Sequence, residues 1–237
     1  YEISLGLVGS EMCIRDRLVK ARGSISVTEL SKIIGVSETS IRRDLSQLHK
    51  QRRLIRTHGG AIAINPVQAE QSFYEKATEH IEEKRRIANY AASIIKPGHT
   101  ISLDGGTTNQ SIACAIKDKQ NLTVVTNSIK VAAELSDAPN INLLVTGGYL
   151  RRVSMTLVGS LPFCMLEKIN IDIAFVGALG ICPERGLTTT DPQEAEIKRK
   201  LLKRANKVIA VCDSSKFGKV SFCSFALLEE IDAVNEA

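Results

Sequence analysis

Two features that the 237-residue chain lacks narrow the kinds of protein it encodes. No apolar run approaches the roughly 20 residues of a membrane-spanning helix, and no stretch resembles a secretory signal. The six cysteines are scattered without a Cys-x-x-Cys pair, so neither a zinc site nor a redox motif is indicated. We therefore expect a globular, cytoplasmic protein with no metal, no cofactor and no membrane partner.

The net positive charge of the chain comes from its first part. The whole chain has a formal net charge of +5. Residues 18–64 contain nine lysines and arginines and three acidic residues, an excess of +6, whereas residues 65–237 contain twenty of each kind. Clustered positive charge of this kind favours contact with the phosphate backbone of nucleic acid.

Residues 26–48 have the pattern of two short helices joined by a tight turn. Ser26 followed by Glu29 is a capping-box pattern, and Gly35 is suited to end the first helix in the left-handed conformation. Ser37 is a suitable cap for a second helix. The apolar stripe of that second helix consists of Ile41, Leu45 and Leu48. Taken alone, the pattern also fits a helical hairpin with a solvated, charged face.

Polar residues at the start of the second helix lie on or beside its outer face, where a recognition helix meets the major groove. We predict that Thr39, Ser40 and Arg43 reach base edges and that Arg42 contacts phosphate. Residues 54–64 have the pattern of two short strands around a His-Gly-Gly turn, which would add a wing. The full predicted DNA-contact set is Ser37, Glu38, Thr39, Ser40, Arg42, Arg43, Arg52, Arg53, Arg56 and His58.

The rest of the chain alternates apolar runs with helical periods. A helical period covers residues 73–95. Short buried strands are predicted at 100–103, 122–126, 142–146, 172–177 and 208–212, and helices at 107–117, 128–136, 160–168 and 191–205. This alternation predicts a mostly parallel α/β sheet with right-handed crossovers.

Small and polar residues follow four of the predicted strands. Ligands of open α/β sheets bind at the carboxyl ends of strands, where helix N-termini favour anions. One such loop would be ordinary turn chemistry, but four on one sheet edge favour a ligand site. The predicted set is Asp104, Gly105, Gly106, Thr107, Thr108, Thr126, Asn127, Ser128, Gly147, Gly148, Asp213 and Lys216, with Lys198 reaching in from the last long helix.

Residues 36–45 and 58–61, with further matches downstream, resemble the DeoR family of bacterial transcriptional regulators. The resemblance extends over roughly residues 18–232. It implies a winged helix-turn-helix at 18–64, a linker at 65–72, and a sensor and oligomerisation domain at 73–237. The fold of that second domain is expected to be similar to that of ribose-5-phosphate isomerase.

The resemblance also implies what the second domain binds. Members of the family sense phosphorylated sugars or related metabolites. Gly106, Thr107 and Thr108 would hold the phosphate, Asp104 and Asn127 the sugar hydroxyls, and Lys216 would offer a cation. A further family block at 186–192, followed by Glu194 and Lys198, would line the same pocket.

We therefore predict a regulator, most simply a repressor of a sugar-metabolism operon, that binds double-stranded operator DNA as a dimer or tetramer. A phosphorylated sugar effector would release it from the DNA. One alternative is an isomerase-like enzyme with a DNA-binding head, although Leu179 occupies a position that is often acidic in such isomerases. The other alternative is a transcriptional activator.

Both ends of the chain depart from the family pattern. Residues 11–16 resemble the translation of a transposon end used in sequencing libraries, so residues 1–17 are expected to be foreign. Arg15 and Asp16 stand where apolar residues of a first helix would pack, and we expect that helix to be weakly held. The family pattern continues beyond residue 232, so the chain is expected to be a fragment.

Overall fold

The computed structural model describes residues 15, 18, 19, 22, 24–50, 54–57, 59–63 and 70–236. The contacts of the chain divide it into two units, residues 1–69 and residues 70–237. Each unit has its own hydrophobic core. Among the described residues, no helix combines the length and the apolar character needed to cross a membrane.

The first unit is a helix-turn-helix with a small antiparallel sheet. Its elements are β1 (Ser24–Ser26), α1 (Val27–Ile34), α2 (Glu38–Lys50), β2 (Leu54–Arg56) and β3 (Gly60–Ala63). The strand order is β1-β3-β2, so the predicted hairpin of β2 and β3 gains a third strand that the sequence pattern did not indicate. Three residues are too few to establish a period of two, which is why β1 was missed.

Local capping interactions fix the two helices of this unit. The Ser26 side chain accepts a hydrogen bond from the Glu29 backbone, at 3.1 Å, and Gly35 ends α1 with φ of +78°. Ser37 caps α2 by accepting from the Ser40 backbone, at 3.3 Å. The predicted stripe of Ile41, Leu45 and Leu48 is fully buried. These parts of the helix-turn-helix prediction are confirmed.

The prediction of a foreign segment and a weak first helix concerns residues most of which lie outside the described part of the chain. Arg15, which is described, is helical and buried, and its Nε lies 3.1 Å from Oδ2 of Asp44 on α2. Val19 is fully buried in the core of the unit. Arg15 therefore enters this unit through an ion pair at a position where an apolar contact was expected.

The second unit is built from helices and strands in alternation. Its helices are α3 (Phe73–Ala77), α4 (Ile81–Ile94), α5 (Thr107–Ile116), α6 (Ile129–Leu135), α7 (Ser160–Leu166) and α8 (Pro192–Arg204), with 3-10 turns at Ser214–Lys216 and Leu228–Glu230. Its strands are β4 (Thr100–Leu103), β5 (Leu122–Thr126), β6 (Ile141–Val145), β7 (Tyr149–Arg151), β8 (Thr156–Val158), β9 (Ile171–Val176), β10 (Gly180–Cys182), β11 (Gly186–Thr189), β12 (Ala205–Val211), β13 (Cys223–Ala226) and β14 (Ala233–Asn235).

Six strands form a parallel sheet in the order β14-β12-β9-β4-β5-β6. The five predicted strands are all in this sheet, within three residues of the predicted ends, so the predicted α/β class is confirmed. The hairpin β7-β8 and the antiparallel sheet β10-β11-β13 were not predicted. Their strands have only three or four residues, too few for a periodic signal.

Side chains alternate between the two faces of the parallel sheet. Leu103 and Phe175 point into a core covered by α4, α5 and α6. Ala174 and Val176 point into the opposite core, which contains residues of α8 and the antiparallel sheet. Burial on both faces explains why these strands read as continuous apolar runs rather than alternating ones.

The helical period at 73–95 is interrupted in the structure. α3 ends at Ala77, and α4 begins only after His80, which has a left-handed φ of 52°. The predicted single helical stretch is therefore two helices with a corner at 78–80. Periodicity did not reveal this corner because a left-handed residue other than glycine or asparagine carries no strong sequence signal.

Replacing Leu103 by Ala is expected to lower the free energy of unfolding by about 2–5 kcal/mol, because the fully buried side chain would leave a cavity. Urea denaturation of the full chain measures the change. Leu144→Ala on the edge strand β6, where the side chain is 39% exposed, is the matched control and should cost much less. Equal losses for the two variants would contradict this account of the core.

Candidate ligand-binding and DNA-binding sites

A cleft opens at the carboxyl ends of β4 and β9. The chain proceeds from β4 outward to β5 and β6, and then returns to place β9 on the other side of β4. Loops that follow two neighbouring strands therefore leave in opposite directions, which opens a crevice between them. Asp104 follows β4 and Gly177 follows β9, and both residues line the cleft.

A buried ion pair joins the two sides of this crevice. The Nζ of Lys198, on α8, donates to Oδ2 of Asp104 and to the Gly177 carbonyl, the latter at 3.0 Å. The Gly177 backbone donates to Asp104 Oδ2 at 3.3 Å. Asp104 is 2% exposed and Lys198 is 6% exposed. The pair therefore fixes the distance between the loops that follow β4 and β9.

The N-terminus of α5 faces the cleft with its backbone amides uncapped. Gly106 precedes the helix with φ of +117°, and no side chain caps the first turn. Gly105 packs so closely against Thr156 of β8 that a Cβ at Gly105 would lie only 2.1 Å from the Thr156 methyl carbon. Thr107 and Thr108 add hydroxyls at the same place. Free amides and hydroxyls at a helix N-terminus form a binding site for an anion.

Asn109 is a cleft residue that sequence reasoning missed. Its side chain is 1% exposed, and neither its Nδ2 nor its Oδ1 has a hydrogen-bond partner among the described residues. A buried amide without partners costs free energy, so this one is available to bond a molecule in the cleft. The available signal was a polar residue directly after the predicted Thr107-Thr108 pair.

Two lysines, a histidine and one carboxylate form another wall of the cleft. Lys84 of α4, His80, Asp213 and Lys216 all line it. Burial lowers the pKa of the Lys84 ammonium, and the nearby Asp213 carboxylate opposes that change. Burial raises the pKa of Asp213. The hydrogen bonds with Ser215 and the charge of Lys216 outweigh burial, so this pKa lies below its ordinary value. Lys84 is a second residue that the sequence prediction did not include.

A polar network borders the cleft near the start of α8. Glu194 accepts hydrogen bonds from Thr156 at 2.8 Å and from Thr189 at 3.3 Å. Arg151 of β7 lies 3.5 Å from Glu194 and 2.7 Å from Glu70. Burial raises the pKa of Glu70, but Lys76, Thr190 and Arg151 outweigh it, so the pKa lies below its ordinary value. Glu70 is therefore held as an anion.

The structure brings together eight of the thirteen predicted ligand residues. The eight that line the cleft are Asp104, Gly105, Gly106, Thr107, Thr108, Lys198, Asp213 and Lys216, and Glu194 joins them. The five that do not are Thr126, Asn127, Ser128, Gly147 and Gly148. Thr126 ends β5 and the other four follow β5 or β6, strands that lie on the far side of β4 from the crevice.

Local contacts engage four of the five residues outside the cleft. The backbone of residues 155–157 covers the end of β5, with Leu157 donating to the Asn127 carbonyl at 2.7 Å. Thr126 donates its hydroxyl to the Leu103 carbonyl at 2.6 Å, and Ser128 caps α6. Gly148 allows close packing, because a Cβ there would be 2.6 Å from the Val158 carbonyl oxygen. These contacts give Thr126, Ser128 and Gly148 structural roles.

No group of three or more His, Cys, Asp or Glu side chains in the described part of the chain is arranged to hold a metal ion. Cys182 and Cys212 are buried free thiols, and burial raises the pKa of Cys212 to about 12. At neutral pH Cys212 is therefore a protonated, apolar core residue.

The outer face of α2 presents the predicted DNA-contact residues. Thr39, Ser40 and Arg43 are exposed. Arg42 bonds Glu38 at 2.8 Å, and Glu38 also accepts from the Thr28 hydroxyl at 2.8 Å. Within the described residues, no carboxylate lies within ion-pair distance of Arg43, which leaves its guanidinium available. Arg56 on β2 is also exposed, whereas Arg52, Arg53 and His58 lie outside the described residues.

A winged helix-turn-helix followed by an α/β domain with an anion-favouring cleft defines a transcriptional regulator with a DNA-binding head and a sensor domain. The family models agree with both units. A DeoR-like helix-turn-helix domain matches residues 17–67, and a DeoR C-terminal sensor domain matches residues 79–235. The chain belongs to the DeoR family of transcriptional regulators, as its motifs predicted.

Curated relatives are similar over most of the chain. The regulator GolR of Listeria innocua is 38% identical over 91% of this chain and 85% of its own length. The regulator GlpR of Haloferax volcanii is 38% identical over 91% and 84%, and the glycerol-3-phosphate regulon repressor of Escherichia coli is 32% identical over 92% and 86%. Ribose 5-phosphate isomerase A of Methanocaldococcus jannaschii matches 59% of this chain and 55% of its own, with a TM-score of 0.44 and 17% identity.

Removing one partner of the Asp104–Lys198 pair is expected to lower the free energy of unfolding by about 3–5 kcal/mol, because the other charge stays buried without a counter-ion. The double variant Asp104→Leu/Lys198→Met should lose much less free energy of unfolding than the two single variants lose in sum. Urea denaturation of the full chain measures the cycle. The exposed pair of Arg85 and Glu82, at 2.6 Å, is the control and should couple by less than about 1 kcal/mol. Additive losses at Asp104 and Lys198 would contradict the pairing.

Proposed function

We propose that the protein represses a carbohydrate-metabolism operon and is released from its operator when a phosphorylated sugar occupies the cleft of the sensor domain. The observation that carries this proposal is the uncapped N-terminus of α5 at the sheet's switch point, with the unpartnered Asn109 beside it. Amides, hydroxyls and lysines suit a phosphate group. Buried carboxylates suit the hydroxyls of a sugar.

The contacts of the acidic residues favour a binding pocket over an active site. Isomerisation of a sugar phosphate needs a carboxylate free to take a proton. Asp104 is paired with Lys198, and Glu194 bonds Thr156, Thr189 and Arg151. Leu179, which also lines the cleft, offers no acid. These engagements support the regulator and weigh against the isomerase-like alternative.

The DNA-binding half of the proposal rests on α2 and on charge. The excess of +6 in residues 18–64 suits attraction to phosphate, and the exposed Thr39, Ser40 and Arg43 suit base edges. We expect the protein to act in the cytoplasm. We also expect a homo-oligomer, because a pair of DNA-binding heads would read repeated or palindromic half-sites. An effector that binds one arrangement of the subunits more tightly would then shift the paired heads and lower DNA affinity.

The deciding experiment is fluorescence anisotropy of the full chain on DNA from upstream of its own gene, at fixed salt, with a panel of phosphorylated sugars. Glycerol 3-phosphate belongs in the panel because one relative is named for its regulon. Release of the DNA by one compound is the expected result. Tight binding that no compound alters would contradict the effector part of the proposal.

Replacing Asn109 by Leu should preserve DNA binding and weaken the response to the effector by roughly tenfold or more, since hydrogen bonds to a charged group contribute about 1.5–3 kcal/mol each. The anisotropy titration with the active compound measures the shift. Asn142→Leu is the matched control, because Asn142 is exposed on β6 and does not line the cleft. Equal responses of both variants would remove Asn109 from the site.

Replacing Arg43 by Ala should cost roughly 1–3 kcal/mol of binding to the preferred operator and relax its sequence preference. Competition anisotropy with operator and random DNA gives both quantities. Lys168→Ala, an exposed lysine of the sensor domain, controls for the loss of one charge. Equal losses on operator and random DNA would instead make Arg43 a phosphate contact.

A further inference from the structure

The six-stranded parallel sheet ends on one side at β6, which has a neighbouring strand on only one of its two sides. The residues of β6 pair with residues 122–126 of β5 in a parallel register. Among the residues that the structure describes, no strand or isolated bridge pairs with the outer side of β6. An edge strand of this kind presents unpaired N–H and C=O groups to which another strand can bond.

The free backbone groups of β6 belong to Leu143 and Val145. Thr146 donates its backbone N–H to the Thr126 carbonyl of β5 at 3.0 Å. Successive residues of a strand direct their backbone groups to opposite sides, so Leu144 also faces β5. Leu143 and Val145 therefore direct their N–H and C=O groups to the outer side, where a partner strand would lie.

A second copy of the same strand can use both outward residues in one arrangement. In an antiparallel pair centred on Leu144, Leu143 of each copy lies opposite Val145 of the other, and the two residues exchange both backbone hydrogen bonds. The two Leu144 residues then face each other across the two-fold axis, with their Cα atoms about 4.5 Å apart. A pair centred on Leu143 would instead need the Ile141 N–H, which already donates to the Ala138 carbonyl at 3.3 Å.

The sequence around β6 is uncharged and largely apolar. Residues 138–150 contain no Lys, Arg, Asp or Glu, although these residues make up 24% of the chain. Leu144 and Val145 are 39% and 40% exposed, and Tyr149 and Leu150, shortly after the strand, are also exposed. Natural edge strands are commonly protected from pairing by charged residues, and β6 has none. Because a two-fold contact brings the same surface of both copies together, an uncharged apolar edge is complementary to itself.

The opposite edge strand of the sheet, β14, differs from β6 in charge. It is flanked by Asp232 and Glu236. An antiparallel pair of two copies centred on Val234, which is 40% exposed, would place Asp232 of each copy opposite Glu236 of the other. Like charges directly opposite each other destabilise a strand pair. The two edges are thus equally exposed at their central residues, but only β6 can pair with its own copy without repulsion.

We propose that β6 pairs with β6 of a second copy of this chain, in the antiparallel register centred on Leu144, so that the sheets of two sensor domains join into one. The inference rests on the homo-oligomer of the proposed function and names the contact that holds it together. It does not depend on which molecule occupies the cleft.

Sedimentation equilibrium of the full chain measures self-association, and charges introduced at Leu144 test the register. In Leu144→Glu two carboxylates would face each other across the two-fold axis, and in Leu144→Lys two ammonium groups would do so. Each variant should self-associate at least roughly tenfold more weakly than the unaltered chain, because like charges placed opposite each other in an interface repel. An equimolar mixture of the two variants should recover an affinity within about threefold of the unaltered chain, because opposite charges then meet.

Val234→Glu is the matched control, because Val234 is the equally exposed central residue of the other edge strand. It should self-associate like the unaltered chain. Leu144→Cys gives an independent reading, because Cα atoms about 4.5 Å apart lie within the range that a disulfide spans. Oxidised glutathione should convert this variant into a covalent dimer. The unaltered chain, in which Cys114 and Cys164 are exposed, measures the background of this reaction.

Three outcomes would overturn the inference, and they differ in what else they remove. Self-association of Leu144→Glu as tight as that of the unaltered chain would assign the homo-oligomer to another surface, while the proposed function stands. A loss in Leu144→Glu that the mixture with Leu144→Lys does not reverse would mean that the substitution acts on folding and not on the pairing. An unaltered chain that stays monomeric at every concentration tested would remove the homo-oligomer of the proposed function together with this pairing.

Discussion

The buried pair of Asp104 and Lys198 is the interaction on which the sensor domain's cleft depends. It joins the loop after β4 to α8 and, through Gly177, to the loop after β9. Because β4 and β9 are neighbours although nearly seventy residues separate them in the chain, the crevice between them exists only when the sheet is complete.

The polar groups around this pair divide into those that are satisfied and those that are not. Glu194, Glu70 and Arg151 satisfy one another and hold the walls. Asn109 and the amides of α5 have no such partners among the described residues. Buried polar groups are normally bonded, and the effector site that we propose is built around the second set. That contrast between made and unmade hydrogen bonds is the basis for placing the proposed site within a larger polar cleft.

Sequence reasoning succeeded where the determining interactions are local. The helix-turn-helix followed from capping residues and from one stripe of Ile41, Leu45 and Leu48, which lie within two turns of a single helix. The five strands of the parallel sheet followed from short apolar runs, because burial on both faces leaves no polar positions in them. It failed at β1, β7 and β10, whose three residues are too few to show a period, and at the left-handed His80 that divides α3 from α4.

The sequence by itself determined the two kinds of domain, the charge of the first, and the polar residues at the strand ends. Only the tertiary structure decided which of those ends meet. The ends of β5 and β6 carry residues as suitable as those of β4, yet the strand order places them away from the crevice, where residues 155–157 cover the end of β5. The sequence did not predict Lys84, Asn109 and Arg151 as site residues for the same reason. Helices and strands arise from neighbours in the chain, whereas a binding site arises from which strands pair.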